Sequence, residues 1–122
     1  MTDTADLNLV LAVIKRKDAL RSRAVRHLRS RGRLLMPFSV GLELLFVAKR
    51  FSMGFVQSLG AAEAFFELEG RDVLYTAAEA LDSREVATVF DAVHLADAFH
   101  RRGALHTADE RLLQTAFPTV RF

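Results

Sequence analysis

The chain contains no cysteine. That excludes disulfides, thiolate zinc sites and a cysteine nucleophile, and any metal must be held by oxygen or histidine nitrogen. A reducing cytoplasm is the expected setting. Long hydrophobic runs are missing as well: the only early apolar stretch, LNLVLAVI, is short, and Asp3 and Asp6 precede it where a signal peptide would carry positive charge. Neither export nor membrane insertion is expected. No internal repeat, low-complexity tract or Pro/Ser/Gly linker breaks the chain, and two prolines and six glycines are its sparse punctuation. What is present is 122 residues, 51% hydrophobic and 26% charged. That suffices for one well-filled core, so residues 1–122 are read as a single domain.

Acid is scarce in one place. Lys15, Arg16, Lys17, Arg21, Arg23, Arg26, Arg29, Arg31 and Arg33 are nine of the 17 basic residues, and Asp18 is the one acid among them. The net charge of +2 hides this belt, because acids outnumber bases in the rest of the chain. A basic belt on an acidic body suits a polyanion such as nucleic acid; a solvated helical face accounts for it equally well.

Short apolar strands alternate with longer helices. RGRLLMP gives a strand at Leu34 to Met36 ended by Pro37, with Ser39 as N-cap of a helix reaching about Arg50. SLGAAEAFFELEG reads as a helix stopped at Gly70, and DVLYT as a strand. From Ser83 to Arg102 apolar positions recur every three or four residues, a long helix ending at Gly103. ALHT is a strand, TADERLLQTAF a helix with Thr107 and Glu110 at capping-box spacing, and TVRF a last edge strand. This alternation predicts an α/β fold, a parallel sheet with helices on both faces and its crevice beyond the strand carboxyl ends.

Four acids deserve weighing on that frame. Asp6 ends a possible first strand, Glu43 lies one turn into the helix after the second, and Asp109 comes just after ALHT, with Ala108 between. Asp6 and Asp109 are also ordinary helix-start residues, and Glu43 suits a helix dipole. Asp91, inside the long helix, has apolar neighbours on both sides and no basic residue within a turn. An unpaired buried carboxylate costs several kcal/mol, so Glu43 among Leu42, Leu44 and Leu45 must reach water, find a partner or serve chemistry. A hard divalent cation would explain the awkward pair, since Mg2+ takes carboxylate oxygens and supports phosphodiester hydrolysis.

The residues DLNLVLA (Asp6 to Ala12), MPFSVGLEL (ending at Glu43 and Leu44) and FDAVHLADAFHRRGALHTADERL, with Asp91 and His94 as DxxH and Thr107 and Asp109 as TxD, together resemble a PIN domain. More narrowly they are similar to VapC-type toxins of prokaryotic toxin–antitoxin pairs. The resemblance runs nearly end to end and implies a three-layer α/β/α sandwich with a small central parallel sheet. It further implies that Asp6, Glu43, Asp91 and Asp109 bind Mg2+ or Mn2+ for endoribonuclease cleavage, with Asn8 and Thr107 orienting those acids. An RNA substrate, a homodimer and an antitoxin that blocks the site are implied too. Lys15, Arg16, Lys17, Arg21 and Arg23 would then hold the RNA backbone.

The chain departs from the family pattern at Leu7, where a small hydroxyl residue is usual, and at the polar first strand MTDTA, in which Asp3 competes with Asp6. Asn8 and the apolar helix favour Asp6. His94 reads more readily as structural than catalytic, Asp97 as facing solvent or pairing with Arg101, and the phenylalanines between Phe46 and Phe66 as core. Two other classes stand beside the nuclease: a PIN-like module that binds RNA or protein without cutting, and a small basic helical DNA-binding regulator.

Overall fold

The computed structural model describes all 122 residues, with seven helices and four short strands paired in parallel. The chain is of the α/β class. The strands form two separate two-stranded sheets rather than one, and the chain divides into two compact units, Met1–Gly70 and Arg71–Phe122. No helix is long and apolar enough to cross a membrane.

In the first unit the order is α1 (Leu7–Ile14), α2 (Arg21–Arg31), β1 (Leu34–Met36), α3 (Phe38–Arg50), α4 (Phe55–Glu63) and β2 (Phe66–Leu68). Leu34, Leu35 and Met36 pair with Phe66, Glu67 and Leu68. MTDTA contributes only one bridge, Thr4 to Leu35, flanked by bonds from the Leu35 amide to Asp3 and from the Ala5 amide to Leu35. Of this segment only Ala5 is buried. Its polar residues offer little to a buried strand, and pairing stops after one residue. Met36, Leu44, Leu45, Leu59 and Phe66 are fully buried and form the centre of this unit's core.

Two sequence expectations fail here for identifiable reasons. Ser39 is not an N-cap, because the helix starts one residue earlier, at Phe38, and the Glu69 carboxylate accepts the Phe38 amide at 2.9 Å. The run from Ser58 to Gly70 is not one helix. It ends at Glu63, and Phe66-Glu67-Leu68 alternate buried, exposed, buried as a strand does beside β1. Of the phenylalanines, Phe66 is core, whereas Phe51 is 57% exposed, with the cations of Lys15 and Arg50 5.4 and 5.6 Å from its ring centre.

The second unit runs α5 (Arg71–Asp82), α6 (Val89–His100), β3 (Leu105–Thr107), α7 (Glu110–Leu113) and β4 (Thr119–Arg121), with β3 parallel to β4. DVLYT is helical, not a strand. Its Val and Tyr favour a strand locally, but Leu74, Ala77, Ala78 and Leu81 make one buried helical stripe, and α5 packs against α6. The long helix begins at Val89 rather than near Ser83, since Arg84 takes a left-handed backbone (φ 62°) and breaks the run. The Thr107–Glu110 capping box is absent; Asp109 is the N-cap, its carboxylate accepting the Arg111 amide at 2.9 Å.

Candidate functional site

Asp6 follows the extended segment that bonds to β1 and turns the chain into α1. It does so as N-cap, one carboxylate oxygen accepting the Leu9 amide at 2.9 Å. The other oxygen has no protein partner. Asn8, in the first turn, is exposed and its amide makes no hydrogen bond within the chain. Glu43 takes the first of the three routes open to it: it reaches water. Leu44 and Leu45 beside it are fully buried while Glu43 is exposed, with no hydrogen bond or ion pair. Apolar neighbours in sequence therefore place no burial penalty on this carboxylate.

Glu69 is an acid the sequence reading missed. It directly follows β2, and it fastens that strand end to α3 through the Phe38 amide. Reading Ser58 to Gly70 as a helix concealed it. The usable signal was the alternation of Phe66, Glu67 and Leu68, which makes Glu69 a strand-end residue in the same sense as Asp6.

In the second unit Asp91 loses its awkwardness. Because α6 starts at Val89, Asp91 is a first-turn residue in a reciprocal cap. Thr88 Oγ1 accepts the Asp91 amide at 3.3 Å and donates to the Asp91 carboxylate at 2.6 Å. His94 is exposed and stacks on Phe90 with ring centres 6.2 Å apart, and Asp97 pairs with Arg101 Nε at 2.9 Å. Asp109 caps α7, and Thr107 Oγ1 accepts the Asp109 amide at 3.0 Å, so Thr107 fixes the backbone that carries this acid. Nearby, Arg121 clasps the Glu110 carboxylate through both terminal nitrogens. That hydrogen bond holds the Glu110 carboxyl below its ordinary value and raises the Arg121 guanidinium.

The donors suit a hard cation in kind. Asp6, Asp91 and Asp109 each commit one oxygen to a helix start and keep the other, and Glu43 keeps both. The structure does not, however, gather three or more His, Asp or Glu side chains into a group that could hold an ion.

No protein-family model matches the chain, and no curated protein matches it.

The basic belt divides into two classes. Arg21 Nε donates to the Val13 carbonyl at 3.2 Å, and Arg33 donates to the carbonyls of Glu63 and Phe66. Both tie elements of the first unit together. Lys15 lies over Phe51. By contrast Arg16, Lys17, Arg23, Arg26, Arg29 and Arg31 are exposed and make no bond or ion pair through their side chains. Ala24 and Leu28 set the buried face of α2, Arg26 lies opposite it, and Arg23 and Arg29 lie on the two flanks.

Proposed function

We propose that this chain is a metal-dependent endoribonuclease of PIN type, a cytoplasmic toxin restrained by an antitoxin. On this reading residues 1–122 act as one domain, a three-layer α/β/α sandwich that works as a homodimer. The observation that carries it is the placement of the acids: Asp6 and Asp109 each follow a parallel β segment and open the next helix, and Glu43 rides the helix after β1.

Asp6, Glu43, Asp91 and Asp109 would hold Mg2+ or Mn2+. When bound, the ion supplies a polarised water and offsets charge on the leaving 3′ oxygen. The chain's own contribution is positional. Backbone amides at helix N-termini fix the carboxylates of Asp6 and Asp109, the Thr88 hydroxyl fixes that of Asp91, and Thr107 holds the backbone that carries Asp109. The unpaired arginines of α2 hold the RNA backbone by charge.

A second reading is favoured by the caps themselves. Asp6, Asp91 and Asp109 each have a structural task, which suits a module that binds RNA or protein without cutting it. Incubating the purified chain with structured RNAs in Mg2+ or Mn2+ separates the two. Cleavage abolished by EDTA and by Asp91→Asn supports the nuclease. Cleavage that survives both refutes the four-acid mechanism, and binding without cleavage supports the second reading.

A further inference from the structure

The row Arg23, His27 and Arg31 on α2 has a depression on either side of its middle residue. One, of about 310 Å³, lies between α1 and α2, with Leu9, Ala12, Leu20 and Ala24 among its walls and Asn8, Arg23 and His27 at its margin; the surface it exposes is almost wholly apolar. The other, of about 360 Å³, is bordered by Thr2, Asp3 and Thr4 on one side and His27 and Arg31 on the other. His27 borders both. Successive members of the row are four residues apart, so they share one ridge of the helix and advance about 6 Å per step. All three side chains are exposed and have no partner within the chain.

We propose that this ridge and the apolar depression form a subsite for single-stranded RNA, one base seated between α1 and α2 and the flanking phosphates on Arg23 and Arg31. That the polyanion is RNA rests on the nuclease reading above; the chemistry of the subsite stands apart from the acids. An apolar floor takes the face of an unstacked base, which only a single strand offers freely, and the His27 ring is a stacking surface beside it. Asn8 brings an amide that both donates and accepts, suited to a base edge. Arginine meets phosphate with two parallel donors, and the Thr2 and Thr4 hydroxyls add neutral ones. Asp3 opposes an anion at the Arg31 end, so Asp3→Asn tightens binding about twofold to threefold.

The test is fluorescence anisotropy of the full chain in EDTA, where no cleavage intervenes, with a labelled ten-nucleotide single-stranded RNA. Arg23→Ala with Arg31→Ala is expected to weaken binding at least tenfold. It should also reduce the salt slope by about 1.4, two contacts at roughly 0.7 each. Arg84→Ala with Arg102→Ala removes the same charge off the ridge, at exposed residues without a side-chain partner, and is expected to weaken binding less than threefold. An abasic strand of the same length should bind at least about fivefold more weakly for the loss of one stacked base. Circular dichroism checks that each variant is folded. The proposal is overturned if the ridge variant binds no more weakly than the Arg84/Arg102 variant, if the abasic strand binds as well, or if duplex RNA is preferred. Polyglutamate competing as well as RNA also overturns it, by marking an acidic-protein surface instead. Ridge-dependent binding without cleavage in Mg2+ removes the nuclease reading and supports the subsite; cleavage with ridge-independent binding does the reverse.

Discussion

Replacing Glu43 with Gln deletes one negative charge and almost nothing else. Glu and Gln have nearly equal helix propensity, and Glu43 is exposed with no bond or ion pair to lose. The expected change in folding free energy is within about 0.5 kcal/mol, as for surface positions without special contacts. The caps behave differently. Asn serves as an N-cap about as well as Asp, so Asp6→Asn and Asp109→Asn keep the accepted amide and lose only the charge–dipole term, about 0.3–1 kcal/mol. If the four acids hold a metal, all three variants should lose at least the roughly tenfold to hundredfold in metal affinity that even an indirect disturbance of such a site brings. Urea unfolding without metal gives the stability, calorimetric titration with Mn2+ the affinity, and RNA cleavage the activity. Glu43→Gln is the decisive member because its structural cost is nearly nil. Unchanged Mn2+ affinity with unchanged cleavage refutes the assignment, and unfolding by this substitution refutes the description of Glu43 as a free surface carboxylate.

Local geometry sets four further expectations. Thr88→Ala breaks the reciprocal cap of α6 and should cost about 1 kcal/mol in urea unfolding, against which a change under about 0.3 kcal/mol would count. Gly70 has φ +69°, and a methyl there would come within 2.6 Å of the Phe38 ring. Gly70→Ala should therefore cost about 2–4 kcal/mol, backbone strain plus overpacking, and Phe38→Leu should recover part of it. Gly32→Ala, with φ +80° and nothing within 4 Å, carries only the backbone cost, and no second substitution rescues it. The Glu110–Arg121 clasp should be pH-sensitive. Glu110 is depressed in the folded chain, so the contribution is full above its ordinary value of about 4.5 and is lost as pH falls through the lower folded value. The protection of the β4 amides, taken relative to their intrinsic exchange rate at each pH, should fall over that window, and Arg121→Gln should abolish the dependence.

The elements legible in the sequence were those bounded by strong local signals. Pro37 ends β1, and Gly103 separates α6 from β3; β1, β3, β4 and the body of α3 and α6 lie where the pattern puts them. β2 and α5 escaped because local preference and final environment conflict there. Ala61 to Phe66 looks helical by composition, but Phe66 and Leu68 find their burial beside β1. DVLYT looks extended, but its apolar residues bury only when wound against α6. Asp91 follows the same logic: a helix counted from Ser83 makes it an interior acid, whereas α6 starts six residues later, at Val89, and makes it a first-turn one.

The later start of α6 matters for any acid at a strand end. A helix following a parallel strand exposes unpaired amides at its start, and an acid there is stabilised whether or not the protein binds a metal. Asp6, Asp91 and Asp109 all satisfy such amides or the threonine beside them, so each has a reason to exist that precedes chemistry. Glu43, Asn8, Arg23, Arg26, His27, Arg29 and Arg31 do not: their side chains are exposed and make no internal bond. All seven lie in the first unit. Function is best sought first among groups that stability does not explain. The sequence resemblance weights Asp91 and DxxH most heavily, whereas the structure shifts attention to Glu43 and the outer face of α2. A nuclease needs both sets. Loss of cleavage on Asp91→Asn is evidence of chemistry only when it exceeds what loosening the start of α6, about 1 kcal/mol, removes by itself.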